Sequence, residues 1–258
     1  MRTVKRGIVA IASSAALAVA AMGTSIGAAG GIGHAAQAGP THGLSVANIE
    51  PANGSVVGVA YPVIVTFNGP IVDRAEAERG IRIHSTGNNA GHFEWPSSDV
   101  VQWVPDGYWS PHSKVSVETH GMSTGFETGD AVVGLADISD HTFTVSVNGD
   151  IQRVMAASMG KPKRPTPIGS FTALTKERTI KFDSRTIGIP LNDPEGYLLN
   201  GEYAVRVTWS GVYVHSAPWS VNSQGYSNVS HGCINLSPDD AAWYFNTVHI
   251  GDPIIVQA

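Results

Sequence analysis

Thr142-Phe143-Thr144-Val145-Ser146-Val147-Asn148-Gly149, followed after one residue by Ile151-Gln152-Arg153-Val154-Met155, reads as a single β-hairpin. Two strand-length runs rich in β-branched residues flank Asn-Gly. That dipeptide reaches the positive φ angles that a tight two-residue hairpin turn requires. Further along, Ala204-Val205-Arg206-Val207-Thr208-Trp209 and Val212-Tyr213-Val214-His215 form a second hairpin through Ser210-Gly211. Pro238 to Val248 is the best helix. Ser237 caps it, Pro238 suits its first turn, and Asp239 and Asp240 complement its positive end. Gly251 ends that stretch and Ile254-Ile255-Val256 supplies a last strand.

Working back from the hairpin, Pro62 to Phe67, Ile81 to His84, Val100 to Val104 and Lys114 to Glu118 are short strands. Asn68-Gly69-Pro70 and Pro105-Asp106-Gly107 break the chain between them. Regular short strands separated by turn residues predict a β-sandwich. Arg74 to Gly80 is the one helix-like turn in this half. The chain is therefore expected to be mainly β in two units. A sandwich spans residues 44–139, and a β-rich unit with one or two short helices spans residues 140–258.

What precedes residue 44 is of another kind. Arg2, Lys5 and Arg6 form a basic start, Gly7 to about Met22 is an apolar run, and Ala36-Gln37-Ala38 offers a small-x-small cleavage site. Residues 1–38 read as a secretory signal peptide and residues 39–43 as a linker. The apolar run is shorter than the roughly 20 residues of a spanning helix. A membrane association is expected only if this segment is retained as an anchor. Its removal takes away three basic side chains and no acidic ones, so 13 basic against 21 acidic residues leave a net charge of −8. That acidity argues against a nucleic-acid partner, since phosphate binding needs clustered Lys and Arg.

Ser230-His231-Gly232-Cys233-Ile234-Asn235 holds the single cysteine of the chain. A secreted domain ordinarily pairs its cysteines, so an unpaired thiol outside the cytosol needs a reason. Cysteine attacks as the thiolate, which a nearby base generates. His215 and His231 are both candidates for that base, and spacing alone does not choose between them. A zinc site from His215, His231 and Cys233 lacks the usual Cys pairs. No metal or cofactor is expected.

Together with His215-Ser216-Ala217-Pro218-Trp219-Ser220, this stretch resembles the signature of the L,D-transpeptidases. These are YkuD-type cysteine enzymes that cross-link peptidoglycan. The resemblance extends from about Leu44 to the end of the chain. It is greatest to the mycobacterial forms, in which an immunoglobulin-like domain precedes the catalytic domain. It implies that Cys233 is the nucleophile, that His215 is the base, and that Ser216 orients the imidazole through a hydrogen bond. It also implies an oxyanion hole from backbone N–H groups around His231, Gly232 and Cys233. Tyr197, Trp219, Asn235, Phe182 and Ser230 then form the substrate-binding surface, and the segment from about Glu177 to Tyr203 reads as a lid. The implied partners are peptidoglycan stem peptides, a tetrapeptide donor and a diaminopimelate acceptor, with carbapenem β-lactams as inhibitors.

Two other functions use the same residues differently. Water could resolve the acyl-enzyme, making an L,D-carboxypeptidase, or the protein could bind cell wall without catalysis. Papain-like and NlpC/P60 peptidases place their cysteine before the histidine, and here His215 precedes Cys233. Lys161 to Arg164 reads as a solvated basic loop. Phe93, Trp95, Trp103 and Trp109 read as sandwich core in preference to a carbohydrate platform.

Overall fold

The computed structural model describes residues 44–87 and 90–258; the expected signal peptide and linker lie outside the described residues. The first unit contains β1 (Val46–Glu50), β2 (Val56–Val57), β3 (Val63–Phe67), α1 (Arg74–Arg79), β4 (Ile81–Ser85), β5 (Gly91–Glu94), β6 (Val100–Pro105), β7 (Lys114–Thr119) and β8 (Met122–Thr128). Two four-stranded sheets, β1-β3-β6-β5 and β2-β8-β7-β4, face each other. Alternate residues of β3 and β7 point inward, so Val63, Val65, Phe67, Val115 and Val117 meet in one core. Trp103 and Trp109 stack inside it at 5.0 Å, and Trp95 stacks on Phe67. Trp103 and Trp109 are core, and Phe93 and Trp95 are partly buried against it.

The second unit contains β9 (Val132–Asp137), β10 (Thr142–Val147), β11 (Asp150–Ala156), β12 (Gly169–Thr172), β13 (Thr175–Asp183), β14 (Leu198–Arg206), β15 (Tyr213–Ser216), β16 (Ile234–Leu236), α2 (Pro238–Thr247) and β17 (Pro253–Gln257). A five-stranded sheet, β11-β10-β9-β17-β12, and a four-stranded sheet, β13-β14-β15-β16, enclose the core with α2. The β10–β11 turn is the expected one: Asn148 and Gly149 both have positive φ and Val147 pairs with Asp150.

Two boundaries differ from the sequence reading. β9 lies within the span assigned to the first unit, yet it pairs with β10 on one side and β17 on the other. The division therefore falls before Val132, about eight residues sooner than expected. Alternation marks a strand but not its partner, so the sequence alone could not place it. The expected lid is mostly sheet. β13 and β14 pair continuously from Thr175↔Arg206 to Asp183↔Leu198, and only the tip between them is irregular.

The two units meet at a backbone joint. Gly58 N–H donates to the Ile250 carbonyl at 2.8 Å and Ala60 N–H to the Gly251 carbonyl at 2.9 Å. Between them, Val59 N–H donates to Asp252 Oδ1, while His249 N–H donates to Asp252 Oδ2. Val59 and Asp252 are both fully buried.

Candidate active site

Strand register builds the site. β15 and β16 run parallel, with Val214 opposite Ile234 and His215 opposite Asn235. Val214, Ile234 and Leu236 point into the core. Side chains alternate across a sheet, so Tyr213, His215, Cys233 and Asn235 share the opposite face. There they line a cleft of about 850 Å³. The β13–β14 hairpin forms one wall of that cleft with Phe182, Glu195 and Tyr197, and Trp219, Ser230, His231 and Lys161 border it. Gly232 and Ser216 do not line it.

His215 is buried, and its Nδ1 lies 2.8 Å from the Ser216 carbonyl oxygen. A carbonyl only accepts, so Nδ1 carries the proton and Nε2 carries the lone pair. Ser216 thus orients the imidazole through its backbone. Burial pushes the His215 pKa down to about 4, with hydrogen bonding to Ser216 and Asn235 opposing. At neutral pH this is an uncharged base. Phe182 lies 4.5 Å and Trp219 5.9 Å from the imidazole, ring centre to ring centre. Phe182 owes its place to Gly201, where a Cβ would come within 2.3 Å of the Phe182 ring. Asn235 is buried and its Nδ2 donates to Ser220 Oγ, tying β16 to the Pro218–Ser220 turn.

Cys233 keeps part of its surface open to the cleft. Its sulfur is nonetheless closely surrounded, and burial pushes the thiol pKa up to about 11, a hydrogen bond from the Tyr213 backbone opposing. The thiol donates to the Gly211 carbonyl at 3.7 Å. The resting pair is therefore a neutral thiol and a neutral imidazole. At pH 7 the thiol is almost wholly un-ionised. We expect alkylation of Cys233 by iodoacetamide, followed by intact mass, to accelerate about tenfold per pH unit between pH 7 and 10. A rate already level between pH 6 and 8 would instead mean a preformed thiolate–imidazolium pair.

The turn carrying Cys233 is braced from within. Ser230 Oγ donates to the Cys233 carbonyl at 2.7 Å and accepts from Gly232 N–H at 3.0 Å. Thr166 Oγ1 donates to the Gly232 carbonyl. Gly232 sits at φ +122°, which L side chains rarely adopt. Two expectations change here. The Gly232 N–H, expected in an oxyanion hole, is already bonded to Ser230. The Ser230 hydroxyl, expected to meet substrate, is engaged inside the turn, although the residue borders the cleft.

His231 faces the hairpin tip. Lys161 Nζ lies 3.3 Å from His231 Nε2 and donates to Glu195 Oε1 at 2.6 Å, while the Tyr197 ring centre lies 5.0 Å from that of His231. Burial and the Lys161 charge push the His231 pKa down, and the Lys161 hydrogen bond lowers that of Glu195. Lys161 is thus not a solvated loop residue. It clips the hairpin tip to the cysteine turn. Glu195, Arg206 and Tyr213 are further cleft residues that the sequence reading did not assign to the site. Such a partly exposed pair contributes up to about 1 kcal/mol. Glu195→Gln should speed amide hydrogen exchange across residues 184–197 about two- to fivefold, measured by mass spectrometry. Unchanged exchange would mean the clip contributes nothing. Among the described residues, no group of three or more His, Cys, Asp or Glu side chains gathers closely enough to hold a metal ion.

A family profile for the L,D-transpeptidase catalytic domain matches residues 131–256, and one for a bacterial Ig domain matches residues 38–123. L,D-transpeptidase 1 of Mycobacterium tuberculosis is 68% identical over 211 residues, covering 82% of this chain and 84% of its own. The chain belongs to the L,D-transpeptidases. The solved structure of LD transpeptidase LdtMt1 in complex with imipenem superposes with a TM-score of 0.78 at 67% identity, covering 83% of this chain and 99% of its own. L,D-transpeptidase 3 from M. tuberculosis, in complex with a faropenem-derived adduct, gives a TM-score of 0.75 at 52% identity, covering 83% and 98%. This L,D-transpeptidase is therefore an acyltransferase carrying an immunoglobulin-like domain ahead of its catalytic domain, and the match from residue 131 agrees with β9 belonging to the latter.

Proposed function

We propose that this L,D-transpeptidase forms 3→3 cross-links in peptidoglycan through a thioester on Cys233. One observation carries the reading: the register of β15 and β16 sets Cys233 and His215 on one cleft face, with Ser216 holding the Nδ1 proton so that Nε2 bears the lone pair. Cys233 Sγ turns from the Gly211 carbonyl and attacks the carbonyl carbon of the third residue of a donor tetrapeptide. His215 Nε2 takes the thiol proton. The tetrahedral oxyanion collapses, the C–N bond breaks, and His215 returns the proton to the departing amine of D-alanine. The side-chain amine of a diaminopimelate on the acceptor stem then attacks the thioester. Its proton passes through His215 back to sulfur, which restores the thiol. The N–H groups of His231 and Cys233 are the backbone donors on either side of the engaged Gly232 for the oxyanion; preorganised donors of this kind are worth about 3–4 kcal/mol elsewhere.

The basic start and apolar run of residues 1–38 support export, with the enzyme acting outside the cytoplasmic membrane. The imipenem and faropenem structures of the relatives support acylation of Cys233 by β-lactams. Intact mass spectrometry of the enzyme with a disaccharide-tetrapeptide, and separately with imipenem, tests both for the unaltered protein and Cys233→Ala. An adduct confined to Cys233 and a cross-linked dimer with released D-alanine support the reading. A tripeptide monomer as the only product would make the enzyme an L,D-carboxypeptidase. No adduct and no product would make it a wall-binding protein.

A further inference from the structure

We propose that Arg206 is a specificity-determining residue of the cleft that binds a carboxylate of the donor peptide close to the scissile bond; this rests on the peptide substrate class proposed above. Arg206 pairs with Tyr213 across β14 and β15, and Tyr213 lies beside Cys233 in the parallel register that aligns Val214 with Ile234. Arg206, Tyr213 and Cys233 are thus neighbours on one face of three adjacent strands. Two strand spacings separate the outer pair, about 10 Å between backbones. All three line the cleft.

The guanidinium sits over two aromatic rings and is left underused. Its carbon lies 4.5 Å from the Tyr213 ring centre and 5.6 Å from that of Trp209. That placement leaves the two terminal nitrogens, with four N–H donors, free to meet a planar anion. Among the described residues no hydrogen bond from this side chain is found, and its buried Nε has no partner. The Glu177 carboxylate approaches only to 3.9 Å, and the oxygen that does so already accepts from Thr175 Oγ1 at 2.6 Å. Glu177 Oε2 is likewise buried without a hydrogen-bond partner, so the two side chains lie side by side without closing the gap. The other cleft cations differ. Lys161 is paired with Glu195 and His231, and Lys181 is exposed to solvent.

Two carboxylates of the donor lie within reach of this geometry: the C-terminal one on the leaving D-alanine, and the side-chain one on the third residue. Arginine–carboxylate pairing is the shared chemistry. Steady-state kinetics on three tetrapeptides separates the sources: the free acid, the C-terminal amide, and the third-residue side-chain amide. The unaltered enzyme should favour the free acid about ten- to hundredfold in kcat/KM over one of the two amides. Arg206→Gln should bring the free acid down to the level of that amide, chiefly through KM, and Arg206→Lys should restore part of the difference. The same losses on all three peptides, with slower alkylation of Cys233 by neutral iodoacetamide, would show a structural role and overturn the proposal. Undiminished discrimination in Arg206→Gln would overturn it too. If the unaltered enzyme turns over none of the three peptides, the substrate reading fails first and this inference falls with it.

Discussion

His215→Asn is expected to lower kcat/KM on a tetrapeptide donor by about 10³- to 10⁴-fold, at the upper end of what a positioned general base contributes. The effect should be mostly in kcat. Asparagine retains a donor that can reach the Ser216 carbonyl, so the fold around residue 215 has a substitute for the lost bond. What disappears is the lone pair on Nε2 of the imidazole that the strand register sets beside the thiol. The same variant reports on the burial of the imidazole. The pKa of His215 falls from 6.5 to about 4 on folding. Between those values the unfolded chain takes up a proton that the folded protein refuses. The stability due to the neutral buried ring is thus fully present above pH 6.5 and lost as pH falls through 4. A shift of this size corresponds to about 3 kcal/mol. Urea midpoints at pH 7 and pH 4 should therefore show the unaltered protein losing about that much more than His215→Asn. Parallel pH profiles for the two proteins would mean that the ring is solvated and charged in the fold, and the neutral-base mechanism would fail.

Asp252→Ala is expected to cost about 3–5 kcal/mol of stability, measured by denaturant unfolding. Asp252 is completely buried, and each of its oxygens accepts one backbone N–H, Val59 from the immunoglobulin-like domain and His249 from the catalytic domain. Truncation strands the Val59 donor where water does not reach and takes the acceptor from the part-buried His249 N–H, at about 1–3 kcal/mol each. Asp252→Asn should cost roughly half as much, because one acceptor survives. The flanking bonds from Gly58 and Ala60 place the backbones so close that a Cβ on Gly58 would lie 2.1 Å from the Asp252 nitrogen. Gly58→Ala should therefore disturb the same joint without removing any polar group. If Asp252→Ala unfolds at the same denaturant concentration as the unaltered protein, the domain joint is not a source of stability.

Much of the site was legible because it is local. Cys233 and Asn235 are two residues apart on one extended stretch, and period-two alternation puts them on a common face. The hairpin at Asn148-Gly149 and the capped helix behind Ser237 were legible for the same reason: a turn and a cap are set by residues within a few positions of one another. The sandwich core followed from alternation in β3 and β7.

The remainder depended on which segments meet. Nothing within Val132–Asp137 tells that strand to lie between β10 and β17 and not in the preceding sandwich. Lys161 and Glu195 are 34 positions apart, and Gly232 reached its hydrogen bond to Ser230 only through a turn that Thr166 also holds. Alternation, turn chemistry and capping act over a few residues, so they fixed the strands, the hairpins, the helix cap and which residues within one strand share a face. Register between distant strands, the burial that keeps the thiol and the imidazole uncharged, and the unused donors of Arg206 arise from contacts between segments far apart in the chain, and only the tertiary structure decided them.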